Sequence, residues 1–149
     1  MSERPEVTEV RKLDQKSFFG LLSEFLEEGR TVRITPKGES MLPFIRGDRD
    51  SVTIGRLSRP ARKGDIVLVR IGDTYVMHRV FEIEGDSLTL MGDGNISGKE
   101  TCSGDDVIGV VTEVIKKGGR VVRPGRGRLW RLLKPVRRYL LAIYKRVLR

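Results

Sequence analysis

The chain's 149 residues suffice for one domain with a buried core and an appendage, and exclude two full domains. Charged and apolar fractions of 33% and 38% are those of a soluble globular protein, the 17 glycines lean towards turn-rich β structure, and the single cysteine, Cys102, excludes an internal disulfide. The net charge of +9 is unevenly placed: residues 1–113 hold all 20 acidic residues against 16 basic ones, whereas residues 114–149 hold the other 13 basic residues and no acid, so basicity belongs to the tail alone.

Taken in chain order, the N-terminal stretch MSERPEVTEVRKLDQKS lacks the apolar centre of a signal peptide or membrane anchor. From Asp14 to Glu28, Phe18, Leu21, Leu22, Phe25 and Leu26 recur at helical spacing with Glu24, Glu27 and Glu28 opposite, and Gly29 follows as a stop signal, which predicts an amphipathic helix. Thr31–Thr35 alternates as a short strand leading into a turn at Gly38. Short β-branched runs follow at Ser51–Ile54, Asp65–Ile71, Tyr75–Ile83, Ser87–Met91 and Val107–Ile115, divided by Gly-Asp or Gly-Gly punctuation. Five or six strands at that spacing predict a mainly β fold, a compact coiled sheet or partial barrel, with an N-terminal helix and a basic amphipathic C-terminal helix. The expected organisation is an N-terminal helical segment over 1–30, a β core over 31–115 and a basic tail over 116–149.

Three segments carry the chemistry. Ser40, in GESMLPFIRGD, lies between a glycine two positions before it and a proline three after it, on a restricted turn that can present a hydroxyl and leave amide hydrogens unpaired. Ordinary loop composition accounts for that segment equally well when it stands alone. His78, the only histidine, falls inside the strand VMHRVF, which fixes its side chain on one face; a lone strand histidine is more often structural than a base. Asp93, in LMGDGN, places a carboxylate in a tight turn straight after a strand, and its blander reading is a plain Asp-Gly turn.

In this order the segments resemble the signal peptidase family and its LexA-like relatives. GESMLP is similar to that family's nucleophile box, IRGDRDSVTI to the Gly-Asp turn and strand after it, and KGDIVLVR to the next strand. VMHRV stands where bacterial signal peptidases and LexA repressors carry lysine and where the endoplasmic-reticulum and archaeal type carries histidine. LTLMGDGN resembles the Gly-Asp box, and DDVIGVV the closing strand. The resemblance covers about Thr31 to Ile115 and implies a serine endopeptidase: Ser40 as nucleophile, His78 as general base, Asp93 orienting the imidazole, and the Ser40 backbone N–H as first oxyanion donor. It implies a peptide or protein substrate and no metal or organic cofactor. Two departures stand out. Many bacterial relatives have an oxyanion hydroxyl two residues before the nucleophile, where this chain has Gly38. The second acidic position of the endoplasmic-reticulum type is not fixed in GDGNISGKETCSGDD, where Glu100, Asp105 and Asp106 are the candidates.

The resemblance brings no transmembrane anchor, since the longest apolar stretch, Tyr139–Tyr144, is far below the ~20 residues that cross a bilayer. The expected setting is cytoplasmic and peripheral at the membrane. From Gly127 onward Leu129, Leu133, Val136, Leu140, Ile143, Tyr144 and Val147 form a helical stripe, interrupted or begun by Pro135. Three readings compete for the tail: an anionic membrane surface met by Trp130, Arg131, Arg137, Arg138, Leu140 and Tyr144; nucleic acid, which does not require the stripe; and a helix docked on a partner or on the core, which leaves the charge unexplained. The alternative to a peptidase is a non-catalytic or regulatory LexA-like protein binding nucleic acid or a partner through this tail. Against it, the lysine base of that branch is absent, no helix-turn-helix precedes the core, and neither Ala61 nor Ala142 precedes the glycine that LexA-type self-cleavage requires.

Overall fold

Eight antiparallel strands curl into an open half-barrel whose strands and connecting loops together carry the candidate catalytic residues. The computed structural model describes residues 15–95 and 98–148, apart from the side chains of Gln15, Lys16, Leu129, Arg131, Lys134 and Leu148. Helix α1 spans Gln15–Glu27. Strands follow as β1 (Val32–Ile34), β2 (Ser51–Gly55), β3 (Ile66–Ile71), β4 (Thr74–Glu84), β5 (Ser87–Met91), β6 (Glu100–Ser103), β7 (Val107–Ile115) and β8 (Val121–Val122). The tail forms α2 (Arg128–Leu132), a 3-10 turn at Lys134–Val136, and α3 (Arg137–Leu148). Pro135 therefore separates two helices, as a residue without an N–H does.

The sheet order is β1-β2-β7-β3-β4-β5-β6, with β8 paired to β7. The central strand β3 opens with the continuous apolar run Ile66–Val69, because both of its faces are covered there. On one face Ile66 and Leu68 pack with Val52, Ile54, Val111 and Val114 under Leu22 and Leu26 of α1 and Met41 and Ile45 of the β1–β2 loop. On the other, Val67 and Val69 pack with Val80, Leu88, Leu90 and Cys102. Each such side chain contributes about 1.5–3 kcal/mol on burial. Helix α1 stops where its sequence predicts: Gly29 has φ +82°, its N–H donates to Leu26 O (3.0 Å), and the Arg30 N–H donates to Phe25 O (3.0 Å), the paired bonds of a Schellman turn.

The predicted mainly β, coiled partial-barrel class is the observed one. Strands β6 and β8 are additions to the five or six expected. ETCS in β6 lacks apolar alternation, and β8 is two residues long, so neither carries a periodic signal. No helix of the described residues is long and apolar enough to cross a membrane.

Candidate active site

Ser40 sits on the β1–β2 loop, which is anchored at both ends. Asp48 N–H donates to Pro36 O (2.7 Å), and the buried Asp50 carboxylate accepts from Arg46 N–H (2.9 Å) and Lys116 Nζ (3.0 Å), while Lys116 Nζ also reaches Phe44 O (2.6 Å). Burial opposes ionisation of Asp50, but the Arg46 amide and Lys116 outweigh it and hold the carboxyl below its ordinary range. Directly after Ser40 the backbone makes a helical turn, with Phe44 N–H and Ile45 N–H both donating to Met41 O (3.1 and 3.0 Å). Met41 and Ile45 are buried, so core packing pins this turn, whereas Ser40 itself is half-buried. The recorded backbone bonds of the turn do not use the Ser40 N–H, which is the arrangement an oxyanion donor needs.

The loop after β5 meets that turn backbone to backbone. Gly94 N–H donates to Ser40 O (2.7 Å). A Cβ at Gly94 would run into Glu39 O and lie 3.2 Å from Leu42 N, and one at Gly92 would run into Ser40 O and lie 3.1 Å from His78 Cδ2. Both glycines of GDGN thus permit an approach that any side chain would prevent. Ser40 O and His78 Cδ2 thus both lie around Gly92, on the side where a Cβ would stand. No hydrogen bond joins Ser40 Oγ to the ring among the described contacts.

The other edge of the ring is occupied by an acid: His78 Nδ1 is hydrogen-bonded to Glu100 Oε1, at the start of β6. Register explains how a residue two strands away arrives there. Glu100 pairs with Leu90 and Leu90 with Val80, which shares a face with His78 two residues earlier along β4.

Asp93, expected to orient the imidazole, is placed otherwise. Its carboxylate accepts from Arg79 Nε (2.8 and 3.1 Å) and Arg79 Nη2 (2.8 Å), and both side chains are buried. Successive strand residues point to opposite faces, so Arg79 turns away from His78; its register partner is Met91, and Asp93 lies two residues beyond on that side. Burial raises the Asp93 carboxyl above its ordinary value, with Arg79 and Arg137 acting against that rise. The acid bonded to His78 is thus Glu100, and Asp93 is paired with Arg79.

That pair also ties down the tail. Arg79 Nη1 donates to Gly64 O (2.8 Å) and to Gly125 O (2.9 Å), and Trp130 Nε1 donates to Asp93 O (2.6 Å). Arg137, only 1% exposed, donates to Asn95 O (3.3 Å) and Trp130 O (3.1 Å) and lies over the Trp130 ring. Lys145 pairs with Glu39 (3.1 Å), the residue before Ser40, and Tyr144 lines a small cleft with Gly38 and Glu39. Trp130 and Arg137, expected on a lipid-facing surface, are therefore turned to the core instead. Leu140 and Tyr144 are half-buried, Arg138 is exposed, and the Arg131 side chain lies outside the described set.

Compared with known protein families, residues 6–115 match the model of Peptidase S24-like proteins. The chain belongs to the Peptidase S24-like family. The matched stretch of this S24-like protein contains Ser40, His78, Asp93 and Glu100 and ends with β7, so the basic tail lies beyond it. No curated protein shows significant similarity to the chain.

Proposed function

We propose that this S24-like protein is a serine endopeptidase in which Ser40 attacks the scissile carbonyl, His78 takes its proton and Glu100 orients the imidazole. The observation that carries this reading is the Glu100 carboxylate on His78 Nδ1, with Ser40 O and His78 Cδ2 both close to Gly92. With Nδ1–H donating to Glu100, the lone pair lies on Nε2, bonded to Cδ2, on the side facing the nucleophile's turn. As Ser40 Oγ bonds to the carbonyl carbon, its proton passes to Nε2, and the same proton then goes to the leaving amine as the peptide C–N bond breaks. Water completes the cycle by hydrolysing the acyl-enzyme. Glu100 stabilises the imidazolium in between. The Ser40 N–H supports the oxyanion, and Gly38 supplies no hydroxyl beside it. Hydrogen bonds between nucleophile and base are often long in a ligand-free site and tighten when substrate binds, which is consistent with the unbonded Ser40 Oγ. Substrate is an extended segment aligned along a strand edge.

The test is cleavage of a pool of extended peptides, read by mass spectrometry. Wild type should yield defined cuts, and Ser40→Ala and His78→Ala should each abolish them, the double variant losing little more than either single one. Additive losses, or cleavage that persists in Ser40→Ala, would overturn the mechanism.

A further inference from the structure

Helix α3 has two apolar faces, and only one of them meets the core. Arg137, Leu141 and Tyr144 turn inward, with Arg137 and Leu141 buried and Tyr144 lining a small cleft with Gly38 and Glu39. Outward lie Leu132, Val136, Tyr139, Ile143 and Val147, from 43% exposed at Val136 to 79% at Leu132. Tyr139, Ile143 and Val147, four residues apart, share one side of α3, and Leu132 of α2 and Val136 of the 3-10 turn precede them across the Pro135 break. Five large apolar side chains thus stand exposed on the tail, more than the single scattered ones of ordinary surfaces. Arg138 and Arg146, both exposed, flank them, and no acidic residue occurs anywhere in 114–149.

We propose that this outward strip is a docking surface for an anionic lipid bilayer. An apolar line edged by unneutralised arginines matches the headgroup boundary, where side chains such as Ile143 and Val147 enter the acyl region and the guanidinium groups remain with lipid phosphates. A second copy of this chain would bring a tail of the same charge against the first, which disfavours self-association through this face. Nucleic acid would answer the charge and leave the strip in water. Because the inward face of α3 holds Glu39 through Lys145, lipid docking would bring the Ser40 turn to the bilayer surface. The proposal is separate from the peptidase reading and stands or falls without it.

The experiment is co-flotation of the full chain with vesicles of phosphatidylcholine alone or of phosphatidylcholine mixed equally with phosphatidylglycerol, run in parallel with the Ser40→Ala chain. Both proteins should float with the mixed vesicles and stay behind with the neutral ones. Ile143→Glu and Leu132→Glu, at exposed positions that leave the fold unchanged by circular dichroism, should each lower the partition coefficient by about tenfold or more with every cation retained. Arg146→Gln should lower it about fivefold, the equivalent of about 1 kcal/mol per basic group near an anionic surface. High salt should weaken it further, as the screening length falls to about 3 Å at 1 M. Unchanged binding in both glutamate variants would overturn the proposal. So would displacement from vesicles by short duplex DNA with the strip irrelevant, or concentration-dependent dimers abolished by Ile143→Glu. Absence of peptide cleavage by the wild-type chain, with its lipid binding intact, would count against the peptidase mechanism alone.

Discussion

Glu100 lies on the Nδ1 edge of His78, reaching it from β6 across the end of β5 while Asp93, nearer in sequence, faces Arg79. The acid bonded to the ring is thus a strand residue, while the Gly-Asp turn meets the Ser40 loop through its backbone. Glu100→Gln keeps the shape and removes the charge that stabilises the imidazolium, so kcat should fall by about 10²-fold or more with little change in KM. The thermal midpoint should move little, because the Glu100 side chain is partly exposed. Full activity in Glu100→Gln would mean that another group holds the ring.

Asp93 makes the opposite prediction. Replacing it with Asn leaves Arg79 buried and uncompensated, and breaking a buried pair from one side costs about 3–5 kcal/mol. Urea unfolding of Asp93→Asn should show an unfolding free energy lowered by that amount, and Arg79→Met combined with Asp93→Leu should recover part of it. A stable Asp93→Asn protein with lost cleavage would return Asp93 to the catalytic role expected from its place in the Gly-Asp box.

His78→Lys separates the histidine type of site from the lysine type. A lysine base works only when desolvation drives its pKa down, and a carboxylate at the same spot favours the charged ammonium. With Glu100 beside position 78, the variant should show no cleavage at neutral pH by the peptide assay. The double variant His78→Lys with Glu100→Leu removes the charge and should regain measurable cleavage at alkaline pH if the serine turn tolerates either base.

Much of this arrangement was legible before any coordinates. The strand runs, the Gly29 stop and the ordered segments around Ser40 and His78 follow from periodicity and turn chemistry, and these local signals survive folding. The partner of His78 does not follow from them, because it is set by pairing register across β4, β5 and β6, and ETCS carries no alternation to reveal β6 as a strand at all. The dipeptide His78-Arg79 did hold one clue: adjacent strand residues face apart, so a carboxylate can serve only one of them. The tail failed differently. A helical wheel gives one broad stripe, whereas the helix buries Arg137 with Leu141 and exposes Ile143 with Val147, and which side meets the core is a tertiary fact.

Acid should reveal how the Ser40 loop is anchored. Burial works against the charge of Asp50, but the Arg46 amide and Lys116 prevail, so its folded pKa is depressed; Asp65 is depressed likewise, with Arg59, the Arg62 amide and Arg126 outweighing its burial. A depressed carboxylate contributes stability that is fully present above its unfolded value, about 3.9, and is lost as pH falls through the folded value. Between neutrality and about pH 5 neither group changes stability. Below about pH 4 the unfolded chain binds protons that the native chain refuses, and the unfolding free energy should fall by up to about 1.4 kcal/mol per pH unit for each group. Asp50→Asn should therefore lower the thermal midpoint at neutral pH and flatten its decline below about pH 4, retaining the share due to Asp65. An acid limb as steep in Asp50→Asn as in wild type would show that Asp50 is not held ionised by Lys116 and does not anchor the Ser40 loop through its charge.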